Sequence, residues 1–158
     1  ELNVDGFRVD VSWGVRERAP EFWPRWRAEL KRIDPDLLLI AEASALDGYY
    51  FEHGFDAAYD WTEKLGEWAW SDAFASKPPD LNKLRAALLK SSQGLPEPGL
   101  VLRFLNNNDT GDRFITQHGV DRTRVAATML LTLPGLPLIY NGDEVGAEFL
   151  PYDEQPLS

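Results

Sequence analysis

The chain has 158 residues with 44% hydrophobic and 12% aromatic content, enough for one domain with a core of its own. Its net charge of −10 excludes nucleic acid as a partner, since phosphate binding needs clustered Lys and Arg with a positive balance. No apolar run approaches the ~20 residues of a membrane span, and the absence of cysteine excludes disulfides and thiolate metal sites while leaving the redox compartment open.

The first element is Asp5-Gly6-Phe7-Arg8-Val9-Asp10, which reads as a short strand ending in a charged pair. Gly6 lets another backbone pass closely, and Arg8 and Asp10 alternate with Phe7 and Val9, so the two polar side chains share one face. A helix follows from about Glu21 to Ile33. Its stripe is Phe22, Trp26, Leu30 and Ile33, and Arg25, Arg27, Lys31 and Arg32 form a solvated face. Pro35 stops it. The continuous apolar run Leu37 to Ala41, closed by Glu42, is a strand covered on both faces, so Asp5 to Glu42 is a βαβ unit.

Phe55 to Tyr59 is a weaker strand, reached by a crossover from Ser44 to Gly54 with room for only a turn or two of helix. Asp60 and Glu63 have the spacing of a helix cap with its reciprocal partner. A helical region runs on to about Ser92, interrupted at Pro78-Pro79, with Leu81, Leu84 and Leu88 on one face. After a loop from Gly94 to Gly99, Leu100 to Leu105 is a strand that ends in Asn106-Asn107-Asn108-Asp109. Val120 to Leu133 is a largely apolar helix stopped by Pro134-Gly135, and Leu136 to Tyr140 is the last strand.

Five strands alternating with helices imply a parallel α/β sheet, either doubly wound or closed as a barrel. Asp10, Glu42 and Asp109 all stand where strands hand over to loops, at the edge where both architectures place their sites. Three carboxylates on one rim suit glycoside hydrolysis, in which one attacks and a second donates a proton. They also suit a hard cation such as Mg²⁺. Spacing alone leaves both open.

The segments Asp5–Asp10, Leu38–Glu42 and Phe104–Asp109, in this order, resemble three signature regions of the α-amylase superfamily of glycoside hydrolases, family 13. The stretch Leu136 to Glu144 resembles that family's last barrel strand. The resemblance implies the C-terminal portion of a catalytic (β/α)8 TIM barrel across residues 1–158, from about the fourth strand to the eighth, with the N-terminal half of the barrel absent. It implies Asp10 as the nucleophile, Glu42 as the general acid/base and Asp109 as the third carboxylate, which binds sugar hydroxyls. It gives Arg8 the task of orienting the nucleophile and keeping it ionised, as a guanidinium does. The expected activity is retaining hydrolysis of α-glucans or oligosaccharides. The alternatives are a glucanotransferase or isomerising relative, a non-catalytic carbohydrate-binding homologue, or a barrel fragment inert by itself.

The match has departures. Asn108 stands where the family usually has a substrate-binding His, and an amide still donates to a sugar hydroxyl. Val11-Ser12-Trp13-Gly14 replaces a Lys-His pair that shapes subsites and a calcium site. The resemblance thus implies no cofactor or metal in this chain and leaves calcium open for the full-length protein. The family's third-strand signature has no counterpart, and a whole barrel takes ~250 residues, so a longer protein is expected. Tyr49, Tyr50 and Phe51 suit either sugar stacking or packing, as does Trp13. Trp61, Trp68 and Trp70 are expected in helix packing, and Asp143-Glu144 either joins the rim or closes the last loop. His53 and His118 each lack a second ligand nearby in sequence, which argues against a metal.

Overall fold

The computed structural model describes residues 4–62, 69–93 and 95–148. Its five strands are β1 (Gly6–Val9), β2 (Leu38–Ser44), β3 (Ala57–Tyr59), β4 (Leu100–Phe104) and β5 (Leu136–Leu138). They lie side by side in chain order, and every neighbouring pair is parallel. A doubly wound sheet reverses its strand order at a switch point. This sheet never reverses, and the strands form a half-barrel. Gly6 pairs with Leu38 so closely that a Cβ at Gly6 would lie 2.1 Å from the Leu38 carbonyl oxygen.

Residues paired across a parallel sheet share a face. Arg8, Ile40 and Ala57 therefore lie level on the concave side, with Tyr59, Leu102 and Leu136 one pleat above. The convex side carries Leu39, Ala41, Ala58 and Val101, which are buried with Trp23, Tyr50 and Phe55 under the helices. Continuous apolarity in Leu37 to Ala41 thus serves two packed faces.

The helices are α1 (Ser12–Arg18), α2 (Phe22–Ile33), α3 (Tyr49–His53), α4 (Ser71–Phe74), α5 (Leu81–Ser92), α6 (Phe114–His118) and α7 (Val120–Thr132). Sequence reading missed α1, because Gly14 and the absence of an apolar stripe conceal it. The α2 stripe is also rotated from expectation: Trp23 is 2% exposed while Phe22 is 46% and Ile33 66%, so Trp23, Trp26 and Leu30 form the inner face. On the same helix, Arg27 and Lys31 do not face solvent alone. They reach Asp56 at 2.7 and 3.2 Å.

Asp60 caps no helix among the described residues. It is fully buried just after β3 and takes Arg103 Nη1 at 2.7 Å and Trp70 Nε1 at 3.0 Å, whereas the cap of α5 is Asp80, accepting from the Asn82 and Lys83 amides. Glu63 and Trp68 lie outside the described residues. Trp61 is buried beside Tyr59 and outside any helix, and Trp70 is buried at the residue preceding α4. On α5, Leu84 and Leu88 pack inward, but Leu81 is exposed. No described helix is long and apolar enough to cross a membrane.

Candidate active site at the carboxyl edge of the strands

The site begins with the alternation in β1, which sends Arg8 and Asp10 to the concave face. Arg8 is the hub. Its Nη1 donates to Asp10 Oδ1, its Nη2 donates to Glu42 Oε1 at 2.6 Å, and its Nε donates to the Tyr59 hydroxyl at 3.0 Å. The side chain thus passes over Ile40 on β2 to touch Glu42 on β2, Tyr59 on β3 and Asp10 just after its own strand. Burial opposes its charge, yet the hydrogen bonds to Tyr59 and Asp10 raise its pKa further, so it stays cationic at any working pH.

Glu42 is placed by an irregularity. Ala41 pairs with Ala58 and Ser44 with Tyr59, so Glu42 and Ala43 are extra residues in a β-bulge, a device that re-aims side chains at sheet rims. Its second oxygen, Oε2, accepts from the Val11 amide at 2.6 Å. Val11 has φ 48° and ψ 41°, a left-handed conformation unusual for a β-branched residue, and this turn directs its N–H at Glu42. Ser12 Oγ donates to the Glu42 carbonyl, and Trp23 Nε1 donates to the Ser12 carbonyl, tying α1 and α2 to the same rim.

Glu42 is only 8% exposed. Burial raises its pKa above the ordinary glutamate value. The Val11 amide and Arg8 pull it down, and the charges of Asp10 and Asp109 push it up. Asp10 contrasts with it: its side chain is 71% exposed and, among the described residues, its Oδ2 carries no hydrogen bond.

Asp109 stands in the loop after β4. Its backbone N–H donates to Asn107 Oδ1 at 2.8 Å, and its Oδ1 accepts from Asn108 Nδ2 at 3.1 Å. Asn107 is buried and also bonds Thr110, which fixes the turn. Asp109 makes no direct bond to Asp10 or Glu42, but its charge bears on Glu42 and Tyr59 across the concave face. Asp10, Glu42, Arg8, Asn108 and Asp109 therefore share one rim, the first three in direct contact.

Other candidates resolve into packing. Tyr49 has the Arg16 guanidinium 4.0 Å from its centroid and the His53 ring stacked at 4.0 Å, and Tyr50 is 2% exposed, so neither offers a free face to a sugar. Phe51 lines a cavity with Arg27, Asp56 and Gly99, at the opposite end of the strands. Asp143 accepts from Asn106 and Arg113 and closes the last loop, while Trp13 is 40% exposed beside the rim. No group of three His, Cys, Asp or Glu among the described residues could hold a metal ion, and the Arg8 guanidinium occupies the space between Asp10 and Glu42.

Sequence reading missed two contributors, the Tyr59 hydroxyl and the Val11 N–H. For Tyr59 the available signal was its parity with Ala57 at the carboxyl end of a strand. A backbone donor in a left-handed turn leaves no signal at a valine.

A family model described as "Alpha amylase, catalytic domain" matches residues 1–154. A cyclomaltodextrinase of Bacillus sp is 31% identical over 94% of this chain and 26% of its own length. A 4-alpha-glucanotransferase of Thermotoga neapolitana is 27% identical over 92% of this chain and 32% of its own. Among solved structures, an alpha-amylase from Lactobacillus plantarum superposes with a TM-score of 0.75 at 25% identity, covering 94% of this chain and 37% of that one. The chain spans about a quarter to a third of the length of the curated relatives named here.

Proposed function

This chain belongs to the alpha-amylase catalytic-domain family, and from that premise we propose that it carries the reacting groups of a retaining hydrolase of α-glucosidic bonds. Its five strands are then the fourth to eighth of a (β/α)8 barrel, and further sequence supplies the other three. The observation that carries the reading is the single guanidinium shared by two carboxylates of unlike exposure. Sharing one cation keeps the two carboxylates as near neighbours, the arrangement a retaining pair uses.

Asp10 Oδ2 attacks the anomeric carbon as Glu42 gives its proton to the leaving glycosidic oxygen, and the C–O bond breaks. The sugar is now an ester of Asp10, and the negative charge has moved to Glu42. Glu42 then takes a proton from water as the water oxygen attacks the same carbon, breaking the ester and restoring both groups. Arg8 touches both carboxylates, so it faces one negative charge before and after each step. Asp109 and Asn108, linked to each other, bind sugar hydroxyls and favour the distorted ring of the transition state.

The test uses the complete gene product on a soluble α-glucan. Proton NMR of the fresh reducing end should show the α-anomer first, and Asp10→Asn should abolish turnover. A β-anomer appearing first, or normal activity in the variant, would overturn the reading. Glucanotransfer is the second reading, favoured by the relative of that activity. It uses the same ester, intercepted by a sugar hydroxyl, and adding isotope-labelled maltose as acceptor would reveal it as labelled oligosaccharides longer than maltose.

A further inference from the structure

We propose that Tyr59 is a positioning residue whose hydroxyl, by occupying the Arg8 Nε–H, compels that guanidinium to divide its two terminal nitrogens between Asp10 and Glu42. The inference deepens the hydrolase reading and rests on it for its kinetic consequences.

A guanidinium grips a carboxylate best with two parallel N–H bonds, and it offers two edges for that grip, one of which includes Nε. Arg8 uses neither edge on a single carboxylate. Its Nε is on the Tyr59 hydroxyl at 3.0 Å, Nη2 is on Glu42, and Nη1 is on Asp10. Tyr59 is held rigidly for this. It is 4% exposed at the end of β3, with Trp61 at 4.7 Å and Phe104 at 5.6 Å between ring centroids. Burial raises its own pKa, so the hydroxyl stays neutral and remains an acceptor for Arg8 over the working pH range.

Without that oxygen, the Nε edge, whose other nitrogen is the Nη2 already on Glu42, closes on Glu42 in a paired grip and Asp10 loses its cation. Two effects follow. The nucleophile Asp10, no longer oriented by the guanidinium, attacks more slowly. Glu42, facing Asp10 after β1 and Asp109 after β4, is now gripped twice by Arg8 beside the Val11 N–H and gives up its proton at lower pH. Tyr59 is too buried to meet the sugar, so substrate binding changes little.

Tyr59→Phe in the complete gene product keeps the ring and its packing and removes only the oxygen. The expected result is a kcat lower on the order of 10- to 100-fold, the worth of one hydrogen bond to a charged group. KM should stay within about twofold, and the alkaline limb of the activity profile should move to lower pH. In an Arg8→Lys background, the same change should add no further loss. Fluorinated tyrosine at position 59, a weaker acceptor of unchanged shape, gives an intermediate shift and serves if Tyr59→Phe does not fold. Wild-type kcat and an unmoved limb would overturn the proposal. Should the parent protein turn over no α-glucan, the hydrolase reading fails, and the crystal structure of Tyr59→Phe still decides this one. Arg8 gathered onto one carboxylate supports it, and Arg8 still bridging both overturns it.

Discussion

In the proposed mechanism, one environment gives Glu42 two tasks. Buried against the bulge, it is raised above the ordinary glutamate value, yet it keeps two donors that stabilise its charge once the proton has left. As the general acid it must be protonated, so turnover should fall as pH rises through its raised pKa. Glu42→Gln should lower kcat by about 10²- to 10⁴-fold and abolish that limb, as a pH–rate profile of the variant would reveal. The linkage has the matching sign: stability from a raised group is complete below the ordinary glutamate value and is lost as pH rises through the folded one. That Asp10, Glu42 and Asp109 share one rim was legible in the sequence because each lies at or just after the end of an apolar run that reads as a strand. Nothing in the one-dimensional pattern indicated that Arg8 serves two carboxylates, since Glu42 lies 34 residues away and its aim depends on a bulge.

At the scale of elements, polar clasps decide how helices seat on the sheet. Arg103 leaves the middle of β4 on the convex side and binds Asp60, Ser91 and the Pro134 carbonyl, so one side chain links β3, α5 and the loop before β5. Among the described residues Asp60 Oδ1 has no hydrogen-bond partner, and Arg103→Met would strip this buried carboxylate of its cation. A loss of about 3–5 kcal/mol is expected in urea unfolding. Asp56 is the counterpart at the opposite end of the strands. Burial opposes its charge, but Arg27, the Leu39 amide and Lys31 outweigh that and hold it below the ordinary aspartate value. Its contribution is present above that ordinary value and is lost as pH falls through the lower, folded one. Asp56→Asn should therefore lower the melting temperature at neutral pH and flatten its decline in acid. Strand and helix order was readable from apolar runs and proline stops. The orientation of α2 was not, because Phe22 and Trp23 are both large and aromatic, and only tertiary packing selects Trp23.

For the whole molecule, a five-stranded wall with an apolar rim at each end is the governing fact. Phe7, Val11 and Trp13 are exposed near the β1 edge, and Val125, Leu131 and Ile139 near the β5 edge. Open strand edges beside apolar patches recruit other chains. The 158-residue polypeptide alone should therefore self-associate in sedimentation velocity, and a stable monomer would argue against the partial-barrel reading. On the proposed reading, further strands of the barrel would enclose the cleft that the exposed Asp10 lines.

The central claim is that Asp10 forms a covalent bond to the sugar, and one measurement addresses it directly. The complete gene product is incubated with a deactivated α-fluorosugar fluoride, which forms the ester quickly and releases it slowly, and the peptides are then mapped by mass spectrometry. The account predicts one added glycosyl residue on the peptide containing Asp10 and none in Asp10→Asn. A label on any other carboxylate, or turnover of the reagent with no label at all, would contradict it.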